Sequence, residues 1–146
     1  MNTSDYTSVN FLIVDDDDVS IMGMKRAMKK LNLLNPTYVA KDGLEALKIL
    51  NEKIEIDEKK LPPFIVTLDL SMPRMDGFEF LNTIRNDSVY QKLVVFVLTT
   101  SDAPNDVAAA YRKNIAGYIV KENAEETFSN ALKMLRDYGN LVVLPN

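Results

Sequence analysis

The sequence predicts an α/β protein whose parallel sheet is covered by helices on both faces. Short runs rich in valine, isoleucine and phenylalanine alternate along the chain with amphipathic segments, which is the pattern of successive β-α units. The apolar runs are nearly continuous, as expected of strands that are buried on both faces. The chain has 146 residues, of which 47% are hydrophobic and 26% charged, and this suits one globular domain with its own core.

Five strands are predicted, each from a short run of β-branched, aromatic and other apolar residues. In chain order these runs are VNFLIV (9–14), TYVA (37–40), FIVTL (64–68), LVVFVL (93–98) and GYIV (117–120).

A segment with helical periodicity follows each predicted strand. Apolar residues recur in these segments at spacings of three and four, which places them on one face of a helix. Two of the predicted helices are the stretches 42–53 and 77–86, and the apolar stripes of the other three run from residue 21 to 31, from 107 to 115 and from 128 to 138.

The domain boundaries follow from these elements. Residues 1–8 form a polar N-terminal extension, residues 9–138 the domain, and residues 139–146 a tail. Gly139 is predicted to end the last helix. The tail contains LVVL (141–144), so we expect these apolar residues either to support self-association or to fold back onto the same chain.

Composition excludes several kinds of site. The chain has no cysteine and no histidine, which removes disulfides, thiolate or histidine metal ligands and serine–histidine catalysis. The net charge of −4 argues against direct DNA binding. The N-terminus lacks the pattern of a secretory signal, and the apolar runs are too short for membrane insertion. We therefore expect a cytoplasmic protein whose chemistry uses carboxylates, hydroxyls, lysine and a hard metal ion.

Polar side chains follow four of the predicted strands. Asp15 and Asp16 come after the first strand, Asp69 after the third, Thr99 after the fourth and Lys121 after the fifth. In an open parallel sheet, functional groups collect at the carboxyl ends of the strands, where the strand order reverses. The pattern therefore predicts that these side chains meet at one edge of the sheet.

This combination of groups indicates phosphoryl transfer. Carboxylates held close together repel unless a cation lies among them, and an all-oxygen site suits Mg²⁺. A metal, a lysine and a hydroxyl around one carboxylate would neutralise a phosphoryl group during transfer. Asp69 would then be the nucleophile.

Four motifs, LIVDDDD, TLDLSMPRMDGFEFL, VFVLTTS and GYIVK, resemble the receiver domain of bacterial two-component response regulators. The resemblance covers roughly residues 9–138. The run from LDLSMPRMDG to LTTSD is most similar to single-domain regulators paired with phytochrome-type histidine kinases. The resemblance implies the five-stranded, doubly wound (βα)5 flavodoxin-like fold with strand order 2-1-3-4-5, in which strands 1 and 3 are neighbours.

The resemblance also implies a role for each acid. Asp69 matches the phosphoacceptor, Asp16 the acid that binds Mg²⁺ directly, and Asp15 its partner, which reaches the metal partly through water. Asp69 also belongs to the metal site, and Ser71 stands where the family offers a backbone carbonyl to the ion.

The remaining roles concern the switch. Thr99 matches the hydroxyl that binds the phosphoryl group, and Lys121 the lysine that pairs with Asp69 before transfer and with the phosphoryl group afterwards. Tyr118 matches the aromatic residue that turns inward with Thr99, and filling of a half-buried strand position is its alternative interpretation. Asp17 and Asp18 are interpreted as capping or first-turn residues of a helix.

Two positions near these residues leave alternatives open. Thr100 is the neighbour that could replace Thr99, although it would point to the opposite face of the strand. Glu122 follows Lys121 where receivers usually have proline, and a cis bond to a residue other than proline costs about 2.5–4 kcal/mol. We therefore predict a trans bond, with Asn123 as the cap of the last helix.

Together these expectations describe a single-domain response regulator. A sensor histidine kinase would phosphorylate Asp69 with Mg²⁺ as cofactor, and the domain would assist only its own phosphorylation and dephosphorylation. The predicted helix 4, strand 5 and helix 5 would carry the signal to an unknown downstream protein, and could also form a homodimer. The alternatives are a receiver-like scaffold that is not phosphorylated, and a haloacid-dehalogenase-type hydrolase. That hydrolase needs an acid where this chain has Ser71.

Overall fold

Five strands and five helices alternate along the chain in the computed structural model, which describes residues 9–54, 60–122 and 124–145. The elements are β1 (Asn10–Val14), α1 (Asp18–Lys30), β2 (Thr37–Ala40), α2 (Gly43–Lys53), β3 (Phe64–Leu68), α3 (Gly77–Arg85), β4 (Val94–Thr99), α4 (Pro104–Tyr111), β5 (Gly117–Val120) and α5 (Ala124–Leu141). The predicted extension 1–8 and the predicted cap Asn123 lie outside the described residues.

All neighbouring strands are parallel, and their order in the sheet is β2-β1-β3-β4-β5. Val14 lies opposite Leu68 at the end of the β1–β3 pair. The residues that follow these two strands therefore leave the sheet side by side. This confirms the predicted strand order, and it brings the acids after β1 and β3 to one edge.

Two apolar cores lie on the two faces of the sheet, which explains why the strands are apolar throughout. On one face, β-strand residues pack against α2, α3 and α4; the buried members include Leu12, Val66, Leu50, Phe80 and Ala110. On the other face they pack against α1 and α5; the buried members include Phe11, Ile65, Met24, Met28 and Leu132.

Aspartates precede three of the helices. The side chains of Asp17, Asp42 and Asp76 cap α1, α2 and α3 by accepting hydrogen bonds from backbone N–H groups of the first turn. Asp76 and Glu79 form a reciprocal capping box. Asp18 is the acidic residue in the first turn of α1. The interpretation of Asp17 and Asp18 as capping and first-turn residues is therefore confirmed.

Gly77, the first residue of α3, allows the backbone of this helix to approach the backbone of Asp69 and Leu70 closely. A Cβ atom at this position would lie 2.5 Å from the backbone oxygen of Asp69 and 2.7 Å from the Cα of Leu70. Its N–H also donates to the Leu70 carbonyl at 3.0 Å. The start of α3 is therefore packed directly against the backbone at Asp69.

The loop between β3 and α3 is also fastened to the start of α2. Arg74, whose φ is 60°, donates from Nε to the buried Asp42 carboxylate at 2.6 Å. A second guanidinium nitrogen lies 3.6 Å from Glu45. The Met75 carbonyl accepts from the Gly43 N–H at 2.9 Å. The loop that follows Asp69 is thus held at its middle as well as at its end.

At the opposite end of the sheet, an arginine side chain links α3 to the segments that precede β4 and β5. Arg85, at the end of α3, donates to the Lys113 carbonyl at 2.7 Å and to the Gln91 and Leu93 carbonyls at 2.8 and 2.9 Å. A fourth bond reaches the Asn114 carbonyl at 3.1 Å. Burial lowers the pKa of this guanidinium. These bonds connect α3 to the segments that enter β4 and β5.

Two predicted helix ends are wrong. The fourth helix ends at Tyr111 rather than 115, because Asn114 takes a left-handed conformation with φ 57° and the buried Ile115 already belongs to the approach to β5. The last helix passes through Gly139 and ends at Leu141, so Gly139 does not stop it.

The described part of the tail is divided between core and solvent. Leu144 packs against the core under α1 and α5, whereas Leu141 and Val143 are 83% and 95% exposed. Folding back is therefore observed for part of the tail. None of the helices in the described ranges has the length and apolarity needed to span a membrane.

Candidate phosphorylation site

Three carboxylates meet at the carboxyl end of the sheet. Asp15 and Asp16 follow β1 and Asp69 follows β3, and one oxygen from each lies within 4.8 Å of the others. The adjacency of β1 and β3 produces this arrangement. Carboxylate oxygens at this spacing fit a hard divalent cation such as Mg²⁺.

Asp15 is the buried member of the acid pair, with 5% of its surface exposed. Its Oδ2 accepts from the Lys121 amine at 2.7 Å, and its Oδ1 accepts from the Asp17 N–H at 2.9 Å. Burial raises the pKa of Asp15, the bonds from Lys121 and Asp17 oppose this shift, and the charge of Asp69 adds to it. Asp16 is exposed, so it is the acid most open to an ion arriving from solvent.

Asp69 is buried between a hydroxyl and an ammonium group. Thr99 Oγ1 donates to Asp69 Oδ1 at 2.8 Å, and the Ser71 N–H donates to the same oxygen at 3.3 Å. The Lys121 amine lies 3.6 Å from Asp69 Oδ2. Thr99 itself is buried, at 1% exposed, whereas Thr100 is exposed. Thr99 is therefore the hydroxyl that contacts Asp69, and its role toward a phosphoryl group stays a prediction.

Lys121 reaches the site although proline does not follow it. The described residues contain no cis peptide bond, so the prediction of a trans bond to Glu122 is confirmed. The Lys121 N–H donates to the Thr99 carbonyl at 2.7 Å, and the lysine side chain is only 7% exposed. The amine hydrogen-bonds to Asp15 at 2.7 Å and lies 3.6 Å from Asp69, so its closer pairing is with Asp15.

Tyr118 lies beside the site on β5. Its hydroxyl donates to the Ser101 carbonyl at 2.9 Å, while its ring packs against the core under α2 and α3. Burial raises the pKa of the Tyr118 phenol. Ser101 in turn donates to Asp106 of α4 at 2.5 Å. The tyrosine therefore combines strand filling with a bond to the β4–α4 loop.

Sequence reasoning missed Ser20. This residue of α1 is buried, and its hydroxyl lies 3.3 Å from the Lys121 amine. The signal was available, because a serine four residues before Met24 lies on the apolar stripe of the helix, where a polar group needs a partner. One partner is local, because the hydroxyl donates to Asp17 at 2.9 Å. The other is Lys121, which follows β5, and the sequence alone does not place that residue beside α1.

Comparison with known proteins identifies the family of this chain. Residues 11–133 match the family model of the response regulator receiver domain. The response regulator Rcp1 of Synechocystis sp. is 30% identical over 135 residues, which cover 92% of this chain and 91% of that protein.

Two solved structures share the fold over almost their whole length. The phosphorylated cyanobacterial phytochrome response regulator RcpA has a TM-score of 0.80 and 26% identity, covering 95% of this chain and 99% of that one. The Mn²⁺-bound form of Rcp1 has a TM-score of 0.79 and 27% identity, covering 94% and 99%. The chain therefore belongs to the response regulator receiver domain family, and phytochrome response regulators are among its structural neighbours.

Proposed function

We propose that this protein accepts a phosphoryl group on Asp69 from a sensor histidine kinase, in a reaction that requires Mg²⁺. The observation that carries the proposal is the environment of the Asp69 carboxylate. One oxygen accepts from Thr99 at 2.8 Å, and the other lies 3.6 Å from the Lys121 amine. Oxygens of Asp15 and Asp16 lie within 4.8 Å.

The transfer forms a bond between an Asp69 oxygen and phosphorus, while the bond from phosphorus to the kinase histidine nitrogen breaks and the imidazole leaves. Asp69 is the nucleophile and attacks as the carboxylate. Lys121 and the Thr99 hydroxyl donate to phosphoryl oxygens as charge develops there. A bound Mg²⁺, held by Asp15, Asp16, Asp69 and the Ser71 carbonyl, would supply charge neutralisation.

Signalling then follows from a change in the hydrogen-bond acceptor of Thr99. When the Thr99 hydroxyl turns from Asp69 to the phosphoryl group, it makes room for Tyr118, whose bond to Ser101 already reaches the β4–α4 loop. The face formed by α4, β5 and α5 changes and meets the downstream protein, or a second copy of the chain. In this proposal, residues 9–138 act as the receiver domain in the cytoplasm. A phytochrome-type kinase is the candidate donor, as the similarity to RcpA suggests.

Labelling by a small phosphodonor tests the proposal directly. Incubation with acetyl phosphate and Mg²⁺ should add the mass of one phosphoryl group, and Asp69→Ala should abolish the gain. The mutant should keep its fold, because removing one of three close acids relieves repulsion. Asp137→Ala, at an exposed position of α5, is the matched control and should label normally. Undiminished labelling of Asp69→Ala would overturn the assignment, and a parent that never labels would favour the scaffold.

A further inference from the structure

The ammonium group of Lys121 has three acceptors around it. Its nitrogen lies 2.7 Å from Asp15 Oδ2, 3.3 Å from Ser20 Oγ and 3.6 Å from Asp69 Oδ2. An ammonium carries three N–H donors, so the number of acceptors matches the number of donors. Two of these acceptors are carboxylates with roles in the proposed reaction, and the third is a neutral hydroxyl that the reaction does not use.

The direction of the Ser20 bonds is fixed by its other partner. Ser20 Oγ donates to Asp17 Oδ2 at 2.9 Å, and the other oxygen of this carboxylate accepts from the Val19 N–H at 3.1 Å. The serine proton must point to Asp17, which leaves an oxygen lone pair for Lys121. Asp17 is itself fixed as the cap of α1. A chain of bonds thus runs from the start of α1 to the Lys121 amine.

Packing alone does not explain a serine at this position. Ser20 is 7% exposed in the interior stripe of α1, where alanine would fill similar space with a better helix propensity. A buried hydroxyl is unfavourable unless it is hydrogen-bonded. The partners that satisfy it here are the capping acid Asp17 and the lysine of the site.

We propose that Ser20 is a positioning residue, which orients the Lys121 ammonium so that one of its N–H groups points at Asp69 Oδ2. The inference rests on the function proposed above. A lysine amine at the end of four rotatable bonds has no preferred direction of its own. With Asp15 and Ser20 each taking one donor, the third donor is directed to Asp69. Without Ser20, the ammonium can turn about its bond to Asp15.

Two pairs of variants that differ by the hydroxyl test this. The parent and Ser20→Ala form one pair, and Ser20→Thr and Ser20→Val form the other, with equal shapes within the second pair. The maximal rate of Asp69 labelling by acetyl phosphate should fall about 3- to 10-fold in Ser20→Ala, as expected for one hydrogen bond. Ser20→Val should be slower than Ser20→Thr by a similar factor. Ser129→Ala on α5 should match the parent.

The Mg²⁺ concentration for half-maximal labelling separates positioning from general damage. It should stay unchanged in all Ser20 variants, because the Ser20 hydroxyl bonds to Asp17 and Lys121 and not to the proposed metal ligands Asp15, Asp16 and Asp69. A parallel shift of this concentration and of the melting temperature would mean that the hydroxyl supports the whole loop, and would overturn the inference.

A double-mutant cycle decides whether the effect passes through Lys121. In the slower Lys121→Met background, removing the Ser20 hydroxyl should cause no further loss of labelling rate. A further loss there, or equal rates for the parent and Ser20→Ala, would overturn the inference and leave the proposed function standing. If the parent itself is not labelled, the proposed function fails, and the inference that rests on it fails too.

Discussion

Two cationic side chains lie at opposite ends of the sheet, and they differ in what surrounds them. Lys121, at the carboxyl ends of the strands, faces two carboxylates and a hydroxyl at 2.7 to 3.6 Å. Arg85, at the amino ends of β4 and β5, donates to four backbone carbonyls at 2.7 to 3.1 Å. Backbone carbonyls are neutral acceptors that neither titrate nor react, whereas under the proposed function the carboxylates would gain a metal or a phosphoryl group. The acceptors of Arg85 are fixed, so its bonds serve to stabilise the fold. The acceptors of Lys121 are changeable, so its bonds can differ between the states of the site.

Replacement of Arg85 should have the largest effect on stability. Arg85→Met keeps much of the apolar stem and removes the donors to four carbonyls, so the free energy of unfolding should fall by about 4 kcal/mol, at roughly 1 kcal/mol per bond. Urea unfolding measures this. The loss should be the same with and without Mg²⁺, since the proposed metal site is at the other end of the sheet. Arg136→Met, on the exposed side of α5, is the control and should change little.

Replacement of Lys121 should destabilise the protein only when metal is absent. Lys121→Met leaves buried Asp15 and Asp69 without their cation, which costs about 3 kcal/mol. Because Mg²⁺ can bind the same carboxylates, it should recover most of this loss. The free energies of unfolding of Arg85→Met and Lys121→Met, measured in urea with and without millimolar Mg²⁺, compare the two sites. If Mg²⁺ rescues Arg85→Met equally well, or fails to rescue Lys121→Met, the distinction between fixed and changeable acceptors is wrong.

The parent should itself gain stability from Mg²⁺. Binding to the native state alone contributes about 2.7 kcal/mol at one hundred times the dissociation constant. The melting temperature should therefore rise with Mg²⁺ concentration, and Asp16→Asn should need much more metal for the same rise. The control is Asp137→Asn, which should follow the parent. A melting temperature that does not change with Mg²⁺ concentration would contradict a metal site formed by these acids.

Replacement of Asp42, the partner of Arg74, should have the smallest effect on stability. The pair lies close to the candidate phosphorylation site, yet its contribution to stability should not depend on Mg²⁺. Burial alone would raise the pKa of Asp42, but the backbone N–H of Glu45 and the Arg74 guanidinium outweigh it and hold that pKa below its usual value. Asp42→Asn keeps an oxygen that can cap α2 but removes the charge that pairs with Arg74, so the free energy of unfolding at pH 7 should fall by about 1 kcal/mol.

The pH dependence of that difference follows from the lowered pKa. A carboxyl whose pKa is lower in the folded state contributes stability above its unfolded pKa of about 4, and loses it as the pH falls through the folded value. The difference between the parent and Asp42→Asn should therefore be constant near neutrality and shrink below about pH 4. Unfolding in urea at a series of pH values checks this. A difference that grows in acid would contradict the sign.

The parts predicted correctly from the sequence depend on local patterns. Apolar runs identify strands because both faces are buried, and this fixed β3 and the position of Asp69 at its end. The strand order came from the resemblance, since periodicity does not say which strands are neighbours. The wrong helix ends have local causes that propensity does not contain. Gly139 remains within the helix, and a Cβ atom built on it would come no closer than 3.9 Å to another residue, Ile65. Asn114 takes a left-handed conformation before β5.

The contacts that sequence reasoning missed join elements that are far apart along the chain. Ser20 and Lys121 are separated by 101 positions, and Arg85 and Asn114 by 29. A buried serine or an arginine at a helix end suggests that a partner exists, but only the packed sheet shows which partner it is. The candidate site was predictable because its residues stand at strand ends, whereas the groups that orient them come from helices.

The close approach at Gly77 has a consequence for mutational scans. Both atoms that a Cβ would strike, the Asp69 oxygen at 2.5 Å and the Leu70 Cα at 2.7 Å, belong to the backbone, so neither can rotate away. Any side chain there must displace the backbone at Asp69, the proposed phosphoacceptor. Saturation mutagenesis selected for loss of signalling would therefore rank position 77 with the reactive residues, although glycine has no functional group, and intolerance at this position would report backbone space rather than chemistry.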